Sequence, residues 1–261
     1  MPHSNCHLAR RHLLGLGLAA LLLPLPALAQ DAPIPARPFV AEAVAHAIPK
    51  TSQPMKVGVI GSGNIGGTLG EIMAKAGHQV MYSDRDPALA QAQAKRVAGT
   101  QSGTGEQAIA FGDVVLVAVP FGAWPAVAKQ YGAALRGKIV MDPTNLNLAR
   151  DGAVAEAAIK TAGSTGQAVA NYLPGARLVR AFNATSYAEF AKNAARPAPR
   201  MGIPVAATDA GDMAAGVRLI TDMGFDAVQV GGGIGGSAKF ELRGPASGTK
   251  TAAEIRAATG P

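Results

Sequence analysis

The run Lys56-Val57-Gly58-Val59-Ile60-Gly61-Ser62-Gly63-Asn64-Ile65-Gly66 decides the fold. Its first half is a short β-branched stretch closing on glycine, the pattern of a buried strand. Its second half spells G-x-G-x-x-G. Apolar residues then recur at helical spacing (Ile65, Leu69, Ile72, Met73, Ala76) until Gly77 supplies a stop. Strand, glycine turn and helix in that order make a dinucleotide-binding start. The first glycine permits the tight turn, the second lets backbone approach a pyrophosphate, and the third lets helix and strand pack closely. The pyrophosphate then rests on the N–H groups and positive end of the helix. Gly61, Ser62, Gly63, Asn64, Ile65 and Gly66 are therefore the leading cofactor-binding residues, with a purely structural glycine turn as the alternative in a chain of 32 glycines.

Outward from this core, strands are expected at 79–83, 114–119, 138–141, 178–182, 205–207 and 227–230. Helices are expected at 88–98, 126–135, 153–162 and 213–223. Alternating buried-type strands and helices predict an α/β fold: a Rossmann-type, doubly wound, mostly parallel sheet with helices on both faces. Ligands of such sheets bind at the carboxyl ends of strands, at the switch in strand order.

Asp84 and Arg85 follow the second strand. An acid there accepts from ribose hydroxyls and favours NAD, and an arginine pairs a 2′-phosphate and favours NADP. The chain offers both, so the choice between NADP and NAD is open; the bland alternative is a solvated turn ahead of Pro87. Val119 and Pro120 close the central strand, and Asn145 and Asn183 close two more, all on the nicotinamide side of the expected cleft. Each asparagine could bind an amide or hydroxyl, or simply cap a turn. Trp124 could wall a flat ring, although a lone Trp is more often packing.

The 261 residues are 48% hydrophobic and 16% charged, with a net charge of +7, an ordinary globular composition. The single cysteine, Cys6, rules out an intramolecular disulfide and any cysteine metal cluster. No Lys/Arg run with interleaved aromatics points to nucleic acid, and no metal-ligand spacing occurs. Arg10-Arg11, the apolar run Leu13 to Leu28 and Ala27-Leu28-Ala29 before Gln30 describe an export signal over 1–29, with a doublet that resembles the twin-arginine type. A periplasmic or exported protein with no stable membrane span after removal of the signal follows as an expectation. Residues 30–54, with five prolines, are expected to be a tether, 55–243 the nucleotide-binding domain, and 244–261 a short polar tail.

Several enzyme classes lack their letters. Tyr187 and Lys192 miss the Tyr-x-x-x-Lys spacing by one. There is no G-x-S-x-G. Gly132 to Lys138 spells G-x-x-x-x-G-K, but Ile139 stands where a P-loop needs Ser or Thr, and the run precedes a strand instead of following one.

From about Met55 to Arg243 the chain resembles the F420-dependent NADP oxidoreductases and their relatives. The resemblance rests on Lys56 to Gly66, Gly77-His78 leading to Arg85-Asp86-Pro87, and Ala118-Val119-Pro120. It continues in Asp142-Pro143-Thr144-Asn145, Arg180-Ala181-Phe182-Asn183, and Gly224-Phe225-Asp226 with glycines 231–233 and Glu241. It implies that Ser62, Gly63, Asn64 and Ile65 hold the pyrophosphate and that Asp84 and Arg85 meet the adenosine phosphate. It further implies hydride passing directly between a nicotinamide and a stacked deazaflavin, with F420 or a flavin as second cofactor, and a homodimer. Asp84 departs from the family, which has Ser or Thr before that arginine; the polar end and the export signal depart too. The residues thus point to an NAD(P)-binding oxidoreductase with a flavin-like or other small acceptor. The alternatives are a non-catalytic exported dinucleotide-binding module and, lower, an imine or hydroxy-acid reductase.

Overall fold

The computed structural model describes residues 42–260; the export signal and the first half of the expected tether, residues 30–41, lie outside them. The elements run β1 (Lys56–Ile60), α1 (Asn64–Lys75), β2 (Gln79–Ser83), α2 (Pro87–Arg96), β3 (Gln101–Ser102), α3 (Gly105–Phe111), β4 (Val114–Val117) and α4 (Trp124–Leu135). They continue with β5 (Ile139–Asp142), α5 (Leu148–Ala162), α6 (Thr165–Tyr172), β6 (Arg177–Arg180), α7 (Tyr187–Asn193), β7 (Gly202–Ala207), α8 (Ala210–Asp222), β8 (Asp226–Gln229) and α9 (Ala252–Thr259). Short 3₁₀ turns cover Phe121–Ala123 and Gly233–Phe240.

The strands form one eight-stranded sheet in the order β3-β2-β1-β4-β5-β6-β7-β8. Pairing is parallel throughout except between β6 and β7. The order reverses between β1 and β4, so the crevice of a doubly wound sheet opens at their carboxyl ends. Period-two alternation sorts the side chains. Val57, Val59, Val114, Leu116, Met141 and Val179 join one core with Leu69, Ile72, Met73, Phe190 and Leu219 from α1, α7 and α8. Ile60, Val115, Val117, Val140 and Leu178 join the other with Ile109, Val127, Ala155 and Val169 from α3 to α6. Both faces are therefore covered, as the unbroken apolar strands require.

Pro204 sits inside β7 without breaking it. Gly202 turns its N–H to the Lys250 carbonyl and not to β8, and Pro204, two residues on, faces the same way. The β6 pairing reaches only Ala206 and Ala207, so no ladder bond is lost at Pro204.

Three boundaries differ from the sequence reading for physical reasons. The strand expected to run to 182 ends at Arg180, because Phe182 takes a left-handed φ of 61°. The helix expected from 153 has one further turn, Leu148 to Asp151, set off by Gly152 at φ 49°. The stretch after Arg243, expected as a polar tail, instead folds as α9, and Ala246, Ala252 and Ile255 close a third core over Ala206, Val228 and Phe240. Within the expected tether, Val44 and Ile48 pack on the first core, and Thr51 N–H donates to the Ala76 carbonyl at 2.8 Å.

His78 fastens this approach segment. Its buried Nδ1 accepts from Met55 N–H at 3.1 Å, so the neutral ring carries its proton on Nε2. Nε2 faces Asp222 Oδ2 at 3.5 Å, and Arg218 Nε lies 3.6 Å from the same oxygen while its guanidinium donates to the Gln53 carbonyl. Burial lowers the His78 pKa; Asp222 opposes that and Arg218 adds to it. A histidine held below its unfolded value of about 6.5 contributes stability that is complete above that value and is lost as pH falls through it. The melting temperature is therefore expected to fall as pH drops from about 7.5 to about 5.5. His78→Asn, whose Oδ1 can take the Met55 hydrogen bond, should flatten that slope. An unaltered slope in the variant would assign the titration to another group.

Among the described residues no helix is long and apolar enough to cross a membrane, and no group of three or more His, Cys, Asp or Glu could hold a metal ion.

Candidate functional site: the carboxyl edge at the strand-order switch

The glycine loop sits at the mouth of the crevice. Gly61 has a φ of +89°, the left-handed region, and a side chain there would place its Cβ 2.5 Å from the Ala118 carbonyl oxygen. Its N–H donates to the Ser83 carbonyl at 2.9 Å, while Ala118 N–H donates to the Ile60 carbonyl at 2.8 Å, so the loop is stitched to both neighbouring strands. A Cβ on Gly66 would lie 1.9 Å from the Gly61 carbonyl oxygen. The fold itself thus requires the first and third glycines. The second differs. Gly63 is the N-cap of α1 with φ −68° and ψ −164°, an extended conformation open to any residue. It offers no capping side chain, and the first turn of α1 has no acidic residue. The positive end of the helix is not neutralised from within, which suits an anion.

Asp84 is a brace. Its Oδ2 accepts from Ser62 N–H at 2.7 Å and from Ser62 Oγ at 3.0 Å, and its Oδ1 accepts from Asp86 N–H at 3.1 Å. With about four lone-pair directions on a carboxylate, three are occupied by the protein. Asp84 therefore fixes the glycine loop against the end of β2 and keeps about one acceptor direction open. Arg85, next to it, is exposed.

On the other side of the crevice the strand-end loops are cross-tied. Thr144 Oγ1 donates to the Val119 carbonyl at 3.3 Å and accepts from Trp124 Nε1 at 3.2 Å. Trp124 and Phe121 are fully buried, so Trp124 is packing and does not wall an open ring. Val119 and Pro120 are half-buried, with Val119 against Gly61. Asn145 Nδ2 donates to the Asn183 carbonyl at 2.7 Å, and Asn183 Nδ2 donates to the Phe240 carbonyl at 3.0 Å. Both amide orientations are fixed by these bonds, and both Oδ1 atoms are buried without a partner. Asn183 is fully buried; its side chain fastens the β6 loop and does not face the open crevice.

The Asp151 carboxylate ties the loops after β4 and β5, accepting from Gly122 N–H at 3.0 Å, Asn147 N–H at 2.8 Å and Arg150 Nε at 2.7 Å. Burial alone would raise its pKa, but these donors and the Arg150 charge outweigh it and hold the group below its ordinary value.

Beneath the loops lies a polar cluster that the sequence reading did not assemble. Arg180, fully buried, donates through Nη1 to Asp142 Oδ2 at 2.7 Å and to the Thr144 carbonyl at 2.8 Å. Its Nη2 donates to Glu241 Oε2 at 3.2 Å. Glu241 also accepts from Thr165 N–H at 2.9 Å and Thr165 Oγ1 at 2.8 Å, at the start of α6. Burial raises the Asp142 pKa, opposed by the Arg180 charge and the Thr144 hydrogen bond. Asp142 and Arg180 are register partners on adjacent strands. Only the strand order, which the sequence does not spell out, could have revealed that pair.

Residues 56–146, from β1 to the loop after β5, match the profile of the family described as NADP oxidoreductase, coenzyme F420-dependent. Among solved structures, a hypothetical protein from Sinorhizobium meliloti is 23% identical, with a TM-score of 0.62 over 76% of this chain and 93% of its own. A candidate F420-dependent NADP-reductase from Arthrobacter sp. FB24 is 21% identical, with a TM-score of 0.57 over 69% of this chain and 86% of its own. An imine reductase from Bacillus cereus is 15% identical, with a TM-score of 0.51 over 70% of this chain and 56% of its own. No curated protein matches. The likenesses to these structures establish the fold, a Rossmann-type α/β sheet.

Proposed function

We propose that the chain is an NAD(P)-dependent oxidoreductase that binds a nicotinamide dinucleotide across the β1/β4 crevice and passes hydride to a small acceptor. The observation that carries this reading is the glycine loop. Its first and third glycines are demanded by backbone contacts, its second is an extended N-cap that carries no side chain, and an uncapped helix end stands behind it. In this reading Ser62, Gly63, Asn64 and Ile65 hold the pyrophosphate, Asp84 braces the loop and touches the ribose, and Arg85 pairs a 2′-phosphate. Val119, Pro120 and Asn145 border the nicotinamide. A bound reduced nicotinamide supplies the hydride. The protein's own part is orientation and exclusion of water, for which cross-tied loops on buried hydrogen bonds are suited. Residues 1–29 would deliver the protein out of the cytoplasm, and twin-arginine export of a folded chain would let it carry its nucleotide along.

The deciding experiment is a fluorescence titration of the nucleotide-stripped protein with NADPH and with NADH. Saturable binding of either supports the reading, and binding of neither overturns it. Arg85→Ala is expected to weaken NADPH by about tenfold or more and NADH by about twofold or less, since one charge-assisted pair is removed from a phosphate that only NADPH has. Equal losses for the two would detach Arg85 from the 2′-phosphate.

A further inference from the structure

A pocket of about 290 Å³ opens between the loop after β5, the start of α6 and Glu241, and its lining includes Asn145, which the proposed function sets beside the nicotinamide. Its polar wall is Asn145, Ser164, Thr165 and Glu241, its apolar rim includes Ile159 and Leu242, and no Lys, Arg or His lines it. Ile159 and Leu242 are 56% and 45% exposed, two of the three exposed large hydrophobic residues in the described chain.

The charge of this wall follows from the cluster behind it. Asp142 and Glu241 share a single buried guanidinium, Arg180, which leaves one formal negative charge between them. Asp142 and Arg180 are sealed from solvent, whereas the Glu241 side chain is 29% exposed, so the excess charge shows itself at Glu241. The N-terminus of α6 offsets about half an elementary charge and the wall stays acidic. Glu241 Oε2 already accepts two hydrogen bonds and Oε1 one, from Thr165 N–H. One lone-pair direction on Oε1 is therefore left for a donor.

From this geometry we infer that the pocket takes a small organic cation with an apolar body, an iminium or ammonium ion, as the acceptor side of the proposed reaction. The volume corresponds to roughly ten water molecules at about 30 Å³ each, the scale of one small ring and not of a tricyclic flavin. An anion would meet Glu241 without a basic partner, and a neutral hydrocarbon would leave the Oε1 direction unused. The electron balance is consistent with the charge. Hydride from the reduced nicotinamide adds to the iminium carbon, the C=N π pair passes to nitrogen, and a proton from water returns the product to an ammonium ion. Substrate and product thus both present the charge that Glu241 faces.

This inference rests on the oxidoreductase reading, and its test separates the two. Cyclohexylammonium, cyclohexanol and cyclohexanecarboxylate, matched in shape, are titrated into the full-length protein by ligand-observed NMR, with and without NADPH. The cation is expected to bind about tenfold or more tightly than the alcohol, with the carboxylate weakest. Ile159→Lys adds a positive charge at an exposed rim position, where a change of fold is not expected and the melting temperature checks it. It should cut cation affinity by about tenfold. Glu241→Gln should do the same, and if that variant fails to fold, the Ile159 variant still decides. Equal binding of cation and alcohol, preference for the carboxylate, or no effect of Ile159→Lys would overturn the inference while NADPH binding leaves the oxidoreductase reading standing. Loss of NADPH binding with the cation still bound would overturn the substrate assignment together with that reading.

Discussion

Gly63→Val is expected to reduce affinity for a nicotinamide dinucleotide by about a hundredfold or more, with the melting temperature close to that of the parent protein. The two halves of this expectation come from separate observations. At φ −68° and ψ −164° the backbone of residue 63 is extended and outside the left-handed region that favours glycine, so valine brings no backbone strain there. The ligand needs the glycine: a pyrophosphate lying on the first turn of α1 must approach the backbone where a valine side chain would stand. Overpacking at a fixed contact typically costs about 1–3 kcal/mol, and the upper part of that range is already about a hundredfold in affinity. Gly66→Ala supplies the contrast. There a Cβ would meet the Gly61 carbonyl oxygen at 1.9 Å, so stability should fall before binding can be asked about. Calorimetric melting and nucleotide titration of the two variants, side by side, check the assignment. Unchanged nucleotide affinity in Gly63→Val would remove the pyrophosphate from this loop.

The same loop shows what a sequence can and cannot give. The glycine spacing and the apolar periodicities on either side are local signals, and they recover β1, α1, β2 and the position of the crevice. Asp84 was also visible, 18 positions beyond Gly66, but its principal task was not. That the carboxylate is held by Ser62, a residue of the loop it was expected merely to face, depends on the parallel pairing that lays β2 beside β1. Asn183 illustrates the same limit: its place at a strand end was legible, but its inward turn to Phe240 follows from packing 57 positions away.

The short helices leave little trace in the sequence for a different reason. Seven or eight residues make two turns, too few for a 3.6-residue period to stand out, and α3, α6, α7 and α9 are all of that length. Their caps were the better signal. Thr104 with Gln107 and Thr251 with Glu254 are reciprocal capping boxes, readable as Thr-x-x-Gln and Thr-x-x-Glu in the chain. Reading the second would have turned the expected polar tail into a helix, and Ile255 into its buried anchor.

Arg180→Met is the second large effect expected, a loss of about 3–5 kcal/mol in unfolding free energy at neutral pH. Methionine can fill much of the space left by the aliphatic stem, so the cost is chiefly electrostatic. Asp142, with no exposed surface, would lose the one cation paired with it among the described residues, and Glu241 would lose one of its three donors there. An uncompensated buried carboxylate responds by taking up a proton, which raises its folded pKa further. A raised folded pKa means that the contribution to stability is complete below the unfolded value and lost as pH rises through the folded one. The variant should therefore approach the parent protein in acid and fall away from it toward neutrality. Asp142→Asn in the same background removes the charge but keeps an oxygen for Thr144 N–H, the donor that Asp142 Oδ1 accepts at 2.8 Å. The double variant is expected to recover a large part of the loss, because breaking a buried pair costs more than neutralising both of its members. Urea denaturation of the two single variants and the double variant at two pH values measures the coupling directly. A single-variant loss below about 1 kcal/mol, the scale of an exposed ion pair, would show that the strand-end loops of β5 and β6 do not depend on this guanidinium.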